Sequence, residues 1–301
     1  MFIISVIRGF NMNNKNKTYT TGSATSKDGT KIGYRQMGSG PGLIIMHGGL
    51  SSSQYFMKLG VALSDDFTVY IPDRRGRGLS GPFGDNYGLQ REVEDLNALI
   101  NKTGAQYIFG ASSGALIILQ SMLTLPGIHK IALYEPLLYI NKSEMDKFNA
   151  AVNRYDREIS EGKTLEAMVD ITKADDNQHS WFYELPDFIM KMIFALILQI
   201  DDMRVKGDDL TLKELLPTLK FDVQMVNETE GELENFKNVS AEVLLLGGSK
   251  SSLLLKNSLE ALNKILPHVN RIELEGLDHD SAQNYGKPER VAQEIKHFFL
   301  N

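Results

Sequence analysis

A serine in a glycine-flanked turn is the residue of this sequence best suited to nucleophilic chemistry. Residues 110–114 read Gly-Ala-Ser-Ser-Gly, which places Ser112 in the pattern Gly-x-Ser-x-Gly. An apolar strand pattern at 107–109 leads into the turn, and an apolar helical run over 115–125 follows it. A strand–turn–helix junction of this kind exposes a serine hydroxyl where it can attack a carbonyl carbon. The glycines avoid a clash across the strained turn. The pattern predicts Ser112 as a nucleophile.

A serine hydroxyl needs a general base, because it is a weak nucleophile near neutral pH. His279 lies in a loop between the last predicted strand and the last predicted helix. Such loops reach the carboxyl edge of a parallel sheet, where ligands bind. The alternative is an ordinary surface histidine. His47 also follows a strand, but it precedes Ser112, whereas the order serine, acid, histidine puts the base last. We predict His279 as the base and a structural role for His47.

The base in turn needs an acid that orients its ring. Glu135 follows the strand predicted at 130–134, which comes next after the nucleophile strand. We predict Glu135 as this acid; the alternative is a buried glutamate paired with an arginine from 74–77. Asp278 and Asp280 flank the histidine in sequence and would meet its ring poorly.

Backbone amides are the predicted donors for the oxyanion of a tetrahedral intermediate. Gly48 and Gly49 follow the strand predicted at 43–46, and glycine lets a backbone N–H approach a substrate closely. We predict the amides of Gly49 and Ser113 as the two donors. A simple tight turn would use the same glycines.

Three arginines follow the strand that ends at Asp73, within the run Asp-Arg-Arg-Gly-Arg-Gly-Leu-Ser. Arginines among glycines can bind phosphate. We favour a structural turn with a buried network between Asp73 and the arginines, because the chain is acidic overall.

Short apolar strands alternate with helical patterns in two stretches of the chain, which predicts an α/β fold with a mostly parallel sheet and helices on both faces. Residues 18–38 read as a hairpin with an Asp-Gly turn. Between the two alternating stretches, residues 141–238 show only helical patterns, so we expect a helical insertion there. The helical patterns of the insertion lie at 143–160, 164–173, 186–203 and 211–219.

The composition excludes several classes of protein. The net charge is −6 and the isoelectric point about 5.6, which argues against a nucleic-acid partner. Cysteine is absent and the six histidines lack metal-binding spacing, so we expect neither metal nor cofactor. Residues 1–17 read as a tail without signal-peptide features, and the apolar run 188–200 is too short to span a bilayer. We therefore expect a cytoplasmic protein without a membrane span; its oligomeric state is not predicted.

Together these motifs resemble the α/β-hydrolase fold family. The segments that carry the resemblance are 47–49, 73–80, 110–114 and 276–279. The resemblance covers the whole core and implies Ser112 as nucleophile and His279 as base. It also implies that 141–238 is a lid over the site, and we therefore divide the chain into a core of 18–140 and 239–301 and this lid.

The sequence departs from the common family pattern at the acid. Members usually carry it after the strand corresponding to 243–246, where this chain has Ser-Lys-Ser at 249–251. Some members place the acid one strand earlier, and Glu135 matches that position.

The expected activity is that of a serine hydrolase, acting on a small to medium apolar carboxylic ester through an acyl-enzyme. The apolar lid residues Trp181 and Phe182 are predicted to contact the substrate. One alternative is a binding or regulatory protein with a slow or inactive triad. Another is hydrolysis of a carbon–carbon bond, an amide or a lactone by the same triad.

Overall fold

A single eight-stranded sheet forms the centre of the protein. The computed structural model describes residues 18–125, 127–174 and 184–301. The spatial order of the strands is β1-β2-β4-β3-β5-β6-β7-β8. They are β1 (Thr20–Thr25), β2 (Lys31–Gly38), β3 (Gly42–Met46), β4 (Thr68–Pro72), β5 (Tyr107–Ala111), β6 (Lys130–Tyr134), β7 (Glu242–Gly248) and β8 (Val269–Leu274).

The sheet is mostly parallel, as predicted. Only the pairs β1–β2 and β2–β4 are antiparallel, and every pairing from β4 to β8 is parallel. The predicted hairpin joins β1 to β2, where the Asp28 carboxylate accepts the Thr30 N–H at 2.9 Å and Gly29 has φ 87°. The carboxyl ends of β3, β5, β6, β7 and β8 therefore lie along one edge, which is where the predicted site residues follow their strands.

Ten α-helices occur in the described residues. They are α1 (Met57–Leu63), α2 (Leu89–Thr103), α3 (Ser113–Met122), α4 (Lys142–Ser160), α5 (Thr164–Lys173), α6 (Asp187–Arg204), α7 (Leu212–Leu215), α8 (Leu219–Asn227), α9 (Leu253–Ile265) and α10 (Pro288–Leu300). The described residues also include 3₁₀ helices at Ser53–Phe56, Leu216–Thr218 and Leu233–Asn238.

Helices cover both faces of the sheet, which confirms the predicted fold class. Neighbouring residues of one strand point to opposite faces, and the core divides accordingly. Ile108 of β5 packs in a cluster with α2, α3 and α9, while Phe109 packs in a second cluster with α1 and α10. Continuous apolar strands are what a sheet buried on both faces requires.

The segment between β6 and β7 is helical, and part of it has a small core of its own. Residues of α4 to α7 form this third cluster, which includes Met168, Met190 and Phe194. In contrast, Met225 and Val226 of α8 pack into the main core against the sheet. The division into a core and a lid stays a prediction. The tail at 1–17 and the predicted substrate contacts Trp181 and Phe182 lie outside the described residues.

Candidate active site

Ser112 occupies a strained turn between β5 and α3. Its backbone has φ 55° and ψ −125°, a conformation that costs a non-glycine residue about 1–3 kcal/mol. The Ser112 N–H donates to the Tyr134 carbonyl at 3.0 Å, which fastens the turn to β6. A methyl group added at Gly114 would lie 2.5 Å from the His47 carbonyl oxygen, so the backbones meet there without room for a side chain. The turn therefore projects Ser112 at the carboxyl edge of the sheet.

Gly48 lies directly against this serine. A methyl group at Gly48 would stand 2.7 Å from Cβ and 3.4 Å from Oγ of Ser112. The structure thus brings the loop that follows β3 to the Ser112 turn; Gly49 follows Gly48 in that loop, and Ser113 follows Ser112 in the turn. The donor roles of their amides stay a prediction.

Glu135 is fully buried at the end of β6 and meets the predicted base. Its Oε2 accepts a hydrogen bond from Nδ1 of His279 at 2.7 Å. Its Oε1 accepts the Gly248 N–H at 2.6 Å and also the Ser251 hydroxyl. Glu135 thus pairs with His279, Gly248 and Ser251, and not with an arginine from 74–77, which is the alternative interpretation of a buried glutamate here. Ser251 comes from the loop after β7, where the common pattern of the family carries its acid.

His279 is held by its own loop and by β6. The Tyr134 hydroxyl donates to the Asp278 carbonyl at 2.6 Å, and the Ser281 hydroxyl accepts the Asp278 N–H at 2.9 Å. Because a carboxylate only accepts, the hydrogen bond to Glu135 places the imidazole proton on Nδ1. The lone pair on Nε2 is then available for a serine proton.

The ion-pair geometry changes the acidity of this histidine. Burial opposes the charged form, but the hydrogen bond and the negative charge of Glu135 outweigh it and raise the pKa of His279 above the usual 6.5. The ring is therefore a stronger base than a free histidine, and the imidazolium formed during proton transfer has a partner.

His47 is structural in this arrangement, as predicted. It is fully buried, its Nδ1 donates to the Gly48 carbonyl at 2.9 Å, and its Nε2 accepts the Arg74 N–H at 3.1 Å. Burial, followed by the charges of Arg77 and Arg74, holds its pKa well below the usual value. Both ring nitrogens are thus used to connect the loops after β3 and β4.

The predicted network between Asp73 and the arginines is wrong in its partners. The Asp73 carboxylate accepts the backbone N–H groups of Ser53 at 2.8 Å and Leu79 at 3.0 Å. An acid so close in sequence lies within reach of its own turn, and it caps backbone donors there. The expectation of a buried structural network is otherwise right, because the arginines pair with acids of other elements.

Each arginine reaches a helix. Arg75 forms two bonds to Asp95 of α2, at 2.7 and 2.6 Å. Arg74 meets Glu92 of α2 and Asp222 of α8, and Arg77 also meets Asp222. Each of the three guanidinium groups thus has a carboxylate partner, and all three arginines are buried, which disfavours phosphate binding.

Comparison with known families identifies the family of this chain. The family model described as Serine aminopeptidase, S33, matches residues 42–281, most of the chain. The chain belongs to this family of α/β hydrolases. The 2-(acetamidomethylene)succinate hydrolase of Mesorhizobium japonicum is 23% identical to it over 272 residues, covering 89% of this chain and 91% of that protein.

Solved structures show the same fold. An α/β hydrolase from Sphaerobacter thermophilus superposes with a TM-score of 0.69 and 25% identity, over 92% of this hydrolase and 100% of that chain. The esterase RhEst1 from a Rhodococcus species gives a TM-score of 0.67 and 19% identity, over 93% and 98% of the two chains. The predicted family and enzyme class, a hydrolase, are confirmed.

The described part of this hydrolase offers neither a membrane-spanning helix nor a cluster of metal-binding side chains. No helix there combines the length and the apolar character that a membrane span requires. Nor does that part of the chain bring together three or more His, Cys, Asp or Glu side chains in a way that could hold a metal ion.

Sequence reasoning missed Asp222. It lies in the middle of α8, 109 residues from Ser113 along the chain, yet its carboxylate accepts the Ser113 hydroxyl at 2.7 Å. The acidic residue stands in an ordinary amphipathic helix with no local motif around it. Its burial, at 1% exposure, is the signal that the structure adds.

Proposed function

We propose that this hydrolase cleaves carboxylic esters with a small to medium apolar acyl or alcohol group, by the triad Ser112, His279 and Glu135. The observation that carries the proposal is the 2.7 Å contact between Glu135 and Nδ1 of His279 at the sheet edge where the strained Ser112 turn lies. A buried acid, an oriented imidazole and a projecting serine are the parts that acyl transfer needs.

In the proposed reaction the Ser112 oxygen attacks the ester carbonyl carbon while Nε2 of His279 takes the hydroxyl proton. Glu135 stabilises the imidazolium that results. The carbonyl oxygen becomes an oxyanion held by the amides of Gly49 and Ser113. Collapse breaks the bond to the alcohol oxygen, which takes the proton from His279 and leaves an acyl-enzyme. Water then attacks in the same way, and the free acid and Ser112 are released.

An apolar substrate is supported by what lies beside the oxyanion loop. Leu50 directly follows Gly49 and packs against the apolar cluster of the helical segment, which includes Met190 and Phe194. We propose that this segment, within 141–238, is a lid whose apolar side chains line the pocket. The outer face of α6 exposes Phe188, Met192 and Leu196 to solvent.

Amide hydrolysis is the second candidate. The relative from Mesorhizobium japonicum is named for a substrate that carries an acetamido group. The same triad attacks esters and amides, and the difference lies in protonation of the leaving nitrogen. An ester and an anilide of the same acid therefore separate the two candidates.

The proposal is tested first by intact mass after treatment with a fluorophosphonate. We expect one adduct on the wild-type protein and none on Ser112→Ala. Hydrolysis of p-nitrophenyl esters of increasing acyl length, each beside the matching anilide, then identifies the substrate class. Folded wild-type protein that forms no adduct would refute the serine mechanism, and preference for short charged acids would refute the apolar pocket.

A further inference from the structure

One carboxylate from the helical insertion contacts both residues that are proposed to hold the oxyanion. Asp222 lies in α8 and is 1% exposed. Its Oδ1 accepts the Ser113 hydroxyl at 2.7 Å. On the other side, a methyl group at Gly49 would lie 3.2 Å from both Cγ and Oδ2 of Asp222, so the carboxylate backs directly onto this glycine.

The side chain of Ser113 is fixed from two directions. Its hydroxyl donates to Asp222 and accepts Nη1 of Arg74 at 3.2 Å. A hydroxyl whose donor and acceptor are both used cannot rotate without breaking a charge-assisted bond. These bonds anchor the residue whose backbone N–H is the proposed donor to the oxyanion.

The charge of Asp222 is balanced where it stands. Its two oxygens accept Nη1 of Arg74 at 2.7 Å and Nη2 of Arg77 at 2.6 Å, and Glu92 takes the other side of Arg74 at 2.9 and 3.1 Å. Two acids and two arginines leave this cluster without formal net charge. Burial would raise the pKa of the Asp222 carboxyl, but Arg77 and Arg74 hold it well below its usual range. A negative charge beside an oxyanion is thereby tolerated.

From these contacts we propose that Asp222 is a positioning residue for the oxyanion hole: it sets the amides of Gly49 and Ser113 through contacts to both residues. The inference rests on the proposed function. In this proposal α8, which belongs to the segment between β6 and β7, positions two core residues that take part in the reaction: Gly49 after β3 and Ser113 after β5. A purely structural network would anchor α8 equally well, so the test must separate the two roles.

The sharpest variant is Ser113→Ala. It removes the hydroxyl that links Asp222 to the turn, keeps the backbone N–H, and leaves every arginine paired. The matched control is Ser121→Ala, a buried serine of the same helix whose hydroxyl donates to the Ile117 carbonyl. Both are assayed on the p-nitrophenyl ester that the wild-type enzyme cleaves fastest, with an alkyl boronic acid as the tetrahedral analogue.

We expect Ser113→Ala to lower kcat by about 10- to 100-fold, since small displacements of positioned groups can cost about 100-fold. KM should change little, and the affinity for the boronic acid should fall with kcat. The acidic limb of the pH profile should stay in place, because His279 and Glu135 are untouched. Asp222→Asn should show the same pattern if it folds, and Ser121→Ala should match the wild type.

Three results would overturn the inference. Ser113→Ala and Ser121→Ala could behave alike, Ser113→Ala could raise KM without lowering kcat, or the acidic limb could move with kcat. Each can be told apart from failure of the proposed function, in which the wild-type enzyme itself would form no fluorophosphonate adduct at Ser112.

Discussion

Replacing Glu135 by glutamine is the most informative perturbation of the proposed triad. Oε1 of Glu135 accepts two donors, from Gly248 and Ser251, whereas Oε2 faces His279. The amide oxygen of glutamine must therefore occupy the Oε1 place, which turns its NH₂ group toward Nδ1 of His279. Because Nδ1 must then accept a hydrogen bond from the NH₂ group, the imidazole proton moves to Nε2. In this tautomer Nε2 has no free lone pair to take the proton of the serine hydroxyl.

The size of the effect follows from burial. Glu135 is completely buried and the His279 side chain is 23% exposed. Removing one partner of a buried charged pair costs about 3–5 kcal/mol, and each 1.36 kcal/mol is about tenfold in rate. The rate constant for acylation should fall by roughly 10²- to 10⁴-fold. Loss of the negative charge should also lower the pKa of His279, which Glu135 raises in the wild-type protein.

The assay is the rate of fluorophosphonate labelling, measured by intact mass across the histidine titration. The base must be neutral, so wild-type labelling is lost as the pH falls through a pKa above 6.5. In Glu135→Gln the labelling rate at neutral and higher pH should drop, and the pH at which labelling is lost on acidification should be lower than in the wild type. The control is Glu242→Gln, an exposed glutamate at the start of β7. Labelling by Glu135→Gln within tenfold of the control, with an unmoved limb, would show that Glu135 is not the acid.

Two further predictions concern the backbone around the nucleophile. Ser112→Gly should raise the free energy of unfolding by about 1 kcal/mol relative to Ser112→Ala, because glycine relieves the φ of 55° and both variants lack the hydroxyl; equal midpoints in urea unfolding would mean that the turn is not strained. Gly48→Ala should slow labelling of Ser112 by roughly 100-fold, since the added methyl group meets Cβ of Ser112 at 2.7 Å. Its control is Gly127→Ala, where the same methyl group meets nothing within 4 Å; comparable labelling of the two variants would contradict the close approach.

The site residues that follow strands were predictable, because parallel strands of one sheet all end at the same edge. Ser112, Glu135 and His279 each follow a strand, or lie in the loop after one, and parallel strands bring their carboxyl ends to one edge. The partner of His279 could also be predicted, since no carboxylate directly follows β7 and Glu135 directly follows β6. The contact between Glu135 and His279 then required no more than the strand order β6-β7-β8.

Partners on helices were not predictable in the same way. The sequence places Asp73 beside three arginines, but a carboxylate at the start of a turn is closer to the backbone donors of that turn, and Leu79 N–H occupies it. The acids that pair with Arg74 and Arg77 come from α2 and α8, up to 148 residues away. No periodicity distinguishes the inward acid of an amphipathic helix, so such pairs appear only once the helices are packed.

The long separation between Asp222 and its arginines has a consequence for synthesis of the chain. A ribosome delivers Arg74 and Arg77 well before α8, and β7, α9, β8 and α10 come later still. Arg74 already has Glu92 of α2 as a partner at that stage, whereas the acid that pairs with Arg77 is Asp222. Until residue 222 emerges, the nascent chain must keep the Arg77 guanidinium hydrated, because burying it without a counter-charge would cost several kcal/mol. The loop that carries Arg77 therefore cannot reach its final buried position at that stage. Contacts of such high sequence separation close slowly, so the contacts of Asp222 with Gly49 and Ser113 form late in folding.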